Sequence, residues 1–284
     1  MHLRKAVITA AGREQRGLPL QTFVDRDGID KTALQIIIEE VLAAGIEEVG
    51  LVIVPGDHEA YSRAAGPYVD RMRFLEQRQP RGYGHALSLA RDFTGDESFL
   101  HLVSDHLYIS RQSVRCAQQV VECARTENCS VSAVQQTRET MLPYYGTVGV
   151  RRLPRQQTLY EVETILEKPT PSEAEQKLLV PGLRAGHYLC LFGIHVFTPT
   201  LMNLLAQTVE RAGPERAVQL TPALAELAAG ERYLALEVQG FRYNIGVKYG
   251  LLIAQLALAL DGADREDVLV QLVELLALRN RGRS

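Results

Sequence analysis

The residues able to do chemistry gather at a few places where an apolar run ends. The first is Ala11-Gly12-Arg13-Glu14-Gln15-Arg16-Gly17, which follows Ala6-Val7-Ile8 and is closed by Leu18-Pro19. A small-residue turn with two arginines presents backbone amides and guanidinium groups to a phosphate chain. We expect a triphosphate there, met by backbone amides and the two arginines; the bland alternative is a solvated turn. The loop is not a dinucleotide fingerprint, because the G-x-G-x-x-G spacing is absent. It is not a Walker loop either, because Gly17 is followed by Leu18-Pro19 rather than Lys-Ser/Thr.

Gln77 precedes the glycine-rich Pro80-Arg81-Gly82-Tyr83-Gly84-His85-Ala86. Glycines let backbone lie against a flat base, and a glutamine amide offers both donor and acceptor to a base edge. A simple turn before a helix fits equally well. Asp105 closes the mostly apolar run Phe99 to Val103 after Ser104, at a strand end where a magnesium carboxylate belongs but where a helix cap is also common. His106 reads as a hydrogen-bonding neighbour rather than a ligand, since Mg²⁺ prefers oxygen. Glu167-Lys168-Pro169 places a carboxylate beside an ammonium at a strand end, suited to sugar hydroxyls and a phosphate, or to an exposed ion pair.

These groups need a frame. Residues 5–11 and 49–54 read as buried strands, and 72–77 and 99–103 as a third and fourth strand. Thr32 to Ala44 reads as a helix ended by Gly45, and Asp57 caps a short helix to Ala65. Gly84 to Arg91 opens another helix. This alternation predicts an α/β protein with a mainly parallel sheet covered on both faces. Ser110 to Thr126 reads as a helix, and 130–136 and 145–150 as strands. A polar turn at 151–158 leads to an alternating, edge or antiparallel strand at 159–166. Ser172 to Leu179 is a short helix, and 188–197 a long strand interrupted by Gly193. Helices follow at 201–212, at 219–229 with Pro222 in the first turn, at 246–259 and at 264–279, and a strand at 233–238. We expect one domain of 284 residues, with lobes over 1–110 and 111–250 and carboxyl-terminal helices over 251–284.

Composition excludes several classes. With 46% hydrophobic residues the chain fills a sizeable core, and a net charge of -3 leaves no global attraction to nucleic acid or membrane. No apolar run reaches membrane-spanning length. Cys116, Cys123, Cys129 and Cys190 show no metal spacing and read as reduced thiols, which points to the cytoplasm. The start leads directly into a strand, without a signal-peptide pattern. The apolar last helix, with Val268, Leu269, Leu272, Val273, Leu275, Leu276 and Leu278, packs on the parent lobe by default, but the width of its apolar surface suggests a homo-oligomer contact.

Taken together, the motifs resemble the sugar-1-phosphate nucleotidyltransferases, most closely the bacterial UTP–glucose-1-phosphate uridylyltransferases. Ala6 to Gly12, with Arg16 and Leu18-Pro19, is similar to A-V-I-x-x-A-G-x-G-T-R-x-x-P. Gln77 with Arg81 to Ala86 resembles Q…K-G-L-G-H-A, the element that favours uridine. Tyr145-Gly146 resembles the Y-G sugar element, Glu167-Lys168-Pro169 the V-E-K-P motif, and Gly193 the G-x-Y strand glycine. Gln219-Leu220-Thr221 resembles E-I-Q-L-T, and Asn244 to Gly250 resembles D-x-G-x-K-x-G.

The resemblance implies a Rossmann-like three-layer α/β/α fold with a mixed, mainly parallel sheet. It implies UTP and a sugar 1-phosphate as substrates and Mg²⁺ as cofactor. Carried over residue by residue, Arg16, Asp105 and Lys168 are catalytic, and Ala11, Gly12, Arg13, Gln77, Gly82 and Gly84 bind nucleotide. Tyr145, Gly146, Glu167, Lys168 and Gly193 bind sugar, and Asp105 and Asn244 hold the metal.

The departures are specific. Glu14-Gln15 replace a glycine and threonine, and Glu14 would repel phosphate unless it points away. The loop lysine of the family's P-K element is missing, with no lysine before Lys31; Arg13 or Arg26 are the available replacements. Asn244 replaces a metal aspartate, and Ala217 a glutamate. They support a rival expectation, a sugar-nucleotide-binding homologue with a weakened reaction and a regulatory or partner role. A nicotinamide oxidoreductase is set aside for want of the glycine fingerprint.

Overall fold

The structure is a computed structural model that describes residues 1–281; positions 282–284 of the expected carboxyl-terminal segment lie outside the described residues. In chain order the strands are β1 (Lys5–Thr9), β2 (Thr22–Val24), β3 (Asp30–Thr32), β4 (Glu48–Ile53), β5 (Met72–Glu76), β6 (Phe99–Val103) and β7 (His106–Ser110). The later ones are β8 (Ser130–Arg138), β9 (Thr147–Arg152), β10 (Leu159–Leu166), β11 (His187–Phe197), β12 (Tyr233–Glu237) and β13 (Gly240–Asn244). The helices are α1 (Ala33–Ala43), α2 (His58–Ala65), α3 (Tyr83–Ser88), α4 (Arg91–Thr94), α5 (Cys116–Glu127), α6 (Pro171–Lys177), α7 (Pro199–Ala212), α8 (Leu220–Gly230), α9 (Gly250–Leu260) and α10 (Arg265–Arg281).

One nine-stranded sheet runs β5-β4-β1-β6-β11-β8-β12-β10-β9. The pairs β5–β4, β4–β1, β1–β6 and β8–β12 are parallel. Only β11 and β10 run against the rest, so the sheet is mixed with most strands pointing one way. Alternation along each strand divides the core in two. Ala6, Ile8, Leu51 and Leu100 point to a cluster under α1, α2, α5 and α9. Val7, Val52 and Phe99 point to a second cluster under α3, α7 and α8. Burial on both faces is why these strands read as unbroken apolar runs.

Several local expectations shift. The helix expected from Ser110 begins at Cys116, because residues 106–110 form β7, which pairs antiparallel with β13. The helix expected from Gly246 begins at Gly250. Strand β10 is antiparallel, as its alternation suggested, and lies inside the sheet between β12 and β9. Asp57 makes no capping bond to α2; its carboxylate lies 3.6 Å from Arg16. Thr32 does cap α1, in a reciprocal box with Gln35. Among the described residues no helix is long and apolar enough to cross a membrane.

Candidate active site

Strand β11 crosses the middle of the sheet and bends at Gly193, where the pairing register with β8 shifts between Leu191 and His195. Gly193 has φ 91°, and a Cβ there would stand 2.7 Å from Val103 and 2.9 Å from the Tyr108 hydroxyl. Only glycine meets both conditions. The bend opens a cavity of about 700 Å³ over the ends of β1 and β6, large enough for a small-molecule ligand.

Ala11, Gly12, Arg13, Gln77, Gly82, Asp105, Tyr145, Gly146, Glu167, Lys168, Gly193 and Asn244 all line it. Residues separated by up to 233 positions therefore share one wall system, which the strand-end rule anticipates. Two expected residues do not line it. Arg16 is turned away, ion-paired with Asp57 while its carbonyl accepts from the Tyr61 hydroxyl at 2.7 Å. Gly84 lies beneath the wall: a Cβ there would sit 2.6 Å from the Gln219 carbonyl, so its smallness packs α3 against the start of α8.

The amino-terminal loop closes on itself. The amides of Gln15 and Arg16 both donate to the Gly12 carbonyl, at 3.0 and 2.8 Å, so they are unavailable to a ligand. Arg13 and Gln15 face the cavity; Glu14 is exposed and absent from its lining, which removes the expected repulsion. Arg13 is thus the loop's cation. Lys31 donates to Asp25, Asp27 and Glu39, and burial works against this charge but the three carboxylates hold its pKa well above the usual lysine range. Arg26 is paired with Asp261. Neither replaces the missing loop lysine.

Gln77 is buried, and its Nε2 donates to the Gly82 carbonyl at 3.2 Å and to His85 Nδ1 at 3.0 Å. With both amide hydrogens committed, the side chain meets a ligand only through Oε1, an acceptor. Burial lowers the His85 pKa, with Arg81 adding to it, which favours the neutral ring that can accept from Gln77. The loop is fixed to the opposite wall by Val218 N–H donating to Arg81 and His85 N–H donating to Val218.

Asp105 sits where β6 passes into β7. Burial works to raise its carboxyl, but the adjoining His106, whose Nδ1 lies 2.8 Å from Oδ1, and the nearby Lys168 outweigh burial and hold it below the usual range. Asn244 is brought beside it because β13 pairs with β7 in a register that sets Asn244 opposite His106. The Asn244 Oδ1 accepts from Gly246 N–H at 2.8 Å. Glu167 accepts from the Thr221 hydroxyl at 2.8 Å rather than pairing with Lys168, and Lys168 is held with φ 45°, its backbone left-handed. Among the described residues no cluster of three His, Cys, Asp or Glu side chains could hold a metal. One carboxylate with an amide oxygen is a donor set that suits Mg²⁺ only when phosphate oxygens complete it.

Residues that sequence reasoning did not assign also line the cavity: Tyr83, His195, Gln219 and Thr221 among them. Tyr83 donates to the Nε2 of buried His101 at 2.6 Å, and the Ser132 hydroxyl lies 2.5 Å from His195 Nδ1. For His101 and His195 the signal was present, because polar residues inside otherwise apolar strands need partners. Their partners are distant in sequence and invisible to spacing.

The chain matches the family model described as nucleotidyl transferase over residues 5–246. It is 30% identical over 301 residues to a UTP–glucose-1-phosphate uridylyltransferase of Bacillus subtilis (strain 168), covering 96% of each chain. It is 29% identical over 308 residues to a protein of the same description, numbered 2, from Staphylococcus saprophyticus, covering 97% of this chain and 99% of that one. Among solved structures, a UDP-glucose pyrophosphorylase complexed with UDP-glucose superposes with a TM-score of 0.73 at 23% identity, covering 90% of this chain and 98% of the other. A UTP-bound UGPase from Acinetobacter baumannii superposes at 0.71 and 22% identity, covering 96% and 99%. These two likenesses show the fold.

Proposed function

The chain belongs to the nucleotidyl transferase family, and from that membership we propose that it transfers UMP from UTP to glucose 1-phosphate, yielding UDP-glucose and pyrophosphate. The observation that carries this reading is the convergence of Gln77, Arg13, Asp105 and the Glu167-Lys168 pair on one cavity. Relatives described as UTP–glucose-1-phosphate uridylyltransferases support the choice of substrates.

In this reading Gln77 Oε1 accepts from the imide N–H of uracil, which cytosine lacks. The Gly82 backbone, held at φ 97° against Val218, gives the base a flat approach. Arg13 and the Gly12 backbone meet the phosphates. Glu167 takes sugar hydroxyls, beside Tyr145 and Gly146, and Lys168 takes the sugar phosphate. An oxygen of the sugar phosphate attacks the α-phosphorus, the new P–O bond forms, and the bond to the β-phosphate breaks with pyrophosphate leaving. Alignment and positive charge carry such a reaction, with no acid–base pair. Mg²⁺ would be held by Asp105 with the Asn244 oxygen and would offset charge on the phosphoryl oxygens.

The protein is assigned to the cytoplasm on its four free, largely buried cysteines. A second copy of the chain is the assigned cover for the carboxyl-terminal helices. There Val273 is 64% and Leu278 67% exposed on α10, and Leu252 and Ile253 are exposed on α9; large apolar side chains gathered in water mark an interaction surface. Solution mass of the full chain and of a form lacking 264–284 tests this; an unchanged mass for the folded short form counts against it.

Pyrophosphate release from UTP and glucose 1-phosphate with Mg²⁺, in wild type and Asp105→Ala, tests the reaction. Turnover that the substitution abolishes supports it. No turnover with any sugar phosphate or nucleotide, together with clear UDP-glucose binding, would overturn it in favour of a binding homologue, the reading that Asn244 favours.

A further inference from the structure

Arg242 lies on β13 opposite Tyr108 of β7 and is nine-tenths buried. Its guanidinium carbon stands 3.8 Å from the centroid of the Tyr145 ring and 5.9 Å from that of Phe192. Nη2 donates to the Thr137 hydroxyl at 3.1 Å, while Nε and Nη1 find no hydrogen-bond partner among the described residues. No ion pair among the described residues involves it. A buried cation without a carboxylate is costly to keep, so the aromatic face of Tyr145 is its principal compensation. Tyr145 in turn forms part of the cavity wall, with His106 6.0 Å away on the side of Asp105.

We propose that Arg242 is a positioning residue for the sugar-phosphate end of the site. Its planar guanidinium clamps the Tyr145 ring into the wall, and its uncompensated charge, one ring behind the cavity, favours a phosphorylated sugar. The inference rests on the uridylyltransferase reading and adds to it a residue that never touches substrate. Three features single out a guanidinium. Stacking at 3.8 Å needs a flat cation, which lysine is not. The absence of a competing carboxylate leaves the field directed at the ligand. The hydrogen bond to Thr137 on β8 fixes the tilt of the plane.

The test is steady-state kinetics with each substrate varied in turn, on wild type, Arg242→Met and Arg242→Lys. Arg242→Met is expected to raise KM for glucose 1-phosphate about tenfold, equivalent to ~1.4 kcal/mol, and to leave KM for UTP within about twofold. Arg242→Lys keeps the charge and loses the stacking, so it falls between the two. In a Tyr145→Leu background Arg242→Met is expected to add little. Equal rises in both KM values, or a lowered Tm with both KM values unchanged, would overturn the proposal. If Arg242→Met does not fold, Arg242→Lys alone must still separate the two KM values, and its failure to do so overturns the proposal. If wild type shows no turnover, the reaction reading has failed, and calorimetric binding of UDP-glucose against UTP decides this one. Arg242→Met must then weaken the first and spare the second.

Discussion

Tyr83 and His101, 18 residues apart, form a closed hydrogen-bond pair at the cavity wall: the Tyr83 hydroxyl lies 2.6 Å from His101 Nε2, and His101 Nδ1 lies 2.9 Å from the Val7 carbonyl. The carbonyl only accepts, so Nδ1 carries the proton and Nε2 accepts from Tyr83. Burial pushes the His101 pKa down to about 4, against the smaller opposing effect of the Val7 bond, so the ring is neutral and the chain of donors is consistent.

This pair predicts a pH dependence of stability. His101 titrates near 6.5 when unfolded and near 4 when folded. Between those values the unfolded state binds more protons, so stability is lost as pH falls from about 6.5 to 4 and is fully present above that window. The contribution is roughly 3 kcal/mol. Urea unfolding of wild type and His101→Asn across pH 4 to 7 measures it; parallel profiles for the two proteins would contradict it.

Tyr83→Phe leaves His101 Nε2 buried without a donor and is expected to cost about 1–3 kcal/mol of stability. Denaturant midpoints give the value. A neutral outcome would mean the hydroxyl has no net role.

Gln77→Leu removes the acceptor offered to the cavity, which the proposed reading gives to the base, and unpins the Gly82 loop. KM for UTP is expected to rise about 10- to 100-fold, the effect of about 1–3 kcal/mol, with KM for glucose 1-phosphate far less changed. Kinetics with each substrate varied separately would show this, and an unaltered UTP dependence would remove Gln77 from the base site.

The two loop arginines should differ. Arg13 lines the cavity while Arg16 is turned toward Asp57. Arg13→Ala is expected to reduce kcat/KM for UTP by about 10- to 100-fold, as for loss of a charge-assisted hydrogen bond. Arg16→Ala is expected to change it less than threefold, or about 0.6 kcal/mol. The reverse ranking would restore Arg16 to the site.

Asn244→Asp adds a carboxylate charge beside Asp105. The Mg²⁺ concentration for half-maximal activity is expected to fall, because Mg²⁺ sites favour one or two carboxylates. A magnesium titration of both proteins checks it. Asp105→Ala is expected to lower kcat about 100- to 1000-fold, on the scale of removing one preorganised charge-stabilising group.

Much of this protein was legible in its residues. The apolar runs around Val7, Leu51 and Leu100 announce strands covered on both faces, and the periodicity after Thr32 announces a helix. Hydrophobic periodicity acts over a few neighbours, so the chain states it openly; the cap expected at Asp57 failed because that carboxylate meets Arg16 on another loop. The motif residues, read by type, spacing and family resemblance, land on one cavity with two exceptions. Those exceptions and the unassigned residues depend on contacts across the sheet. Whether Arg13 or Arg16 faces the cavity is decided by the Asp57 carboxylate on another loop. Asn244 reaches Asp105 only through the β7–β13 pairing, which strands of five residues do not advertise. The partners of His101 and Arg242 lie on other strands, at distances along the chain that no local pattern encodes. Composition and spacing determined which groups are present and on what scaffold; long-range packing alone decided which way each one points.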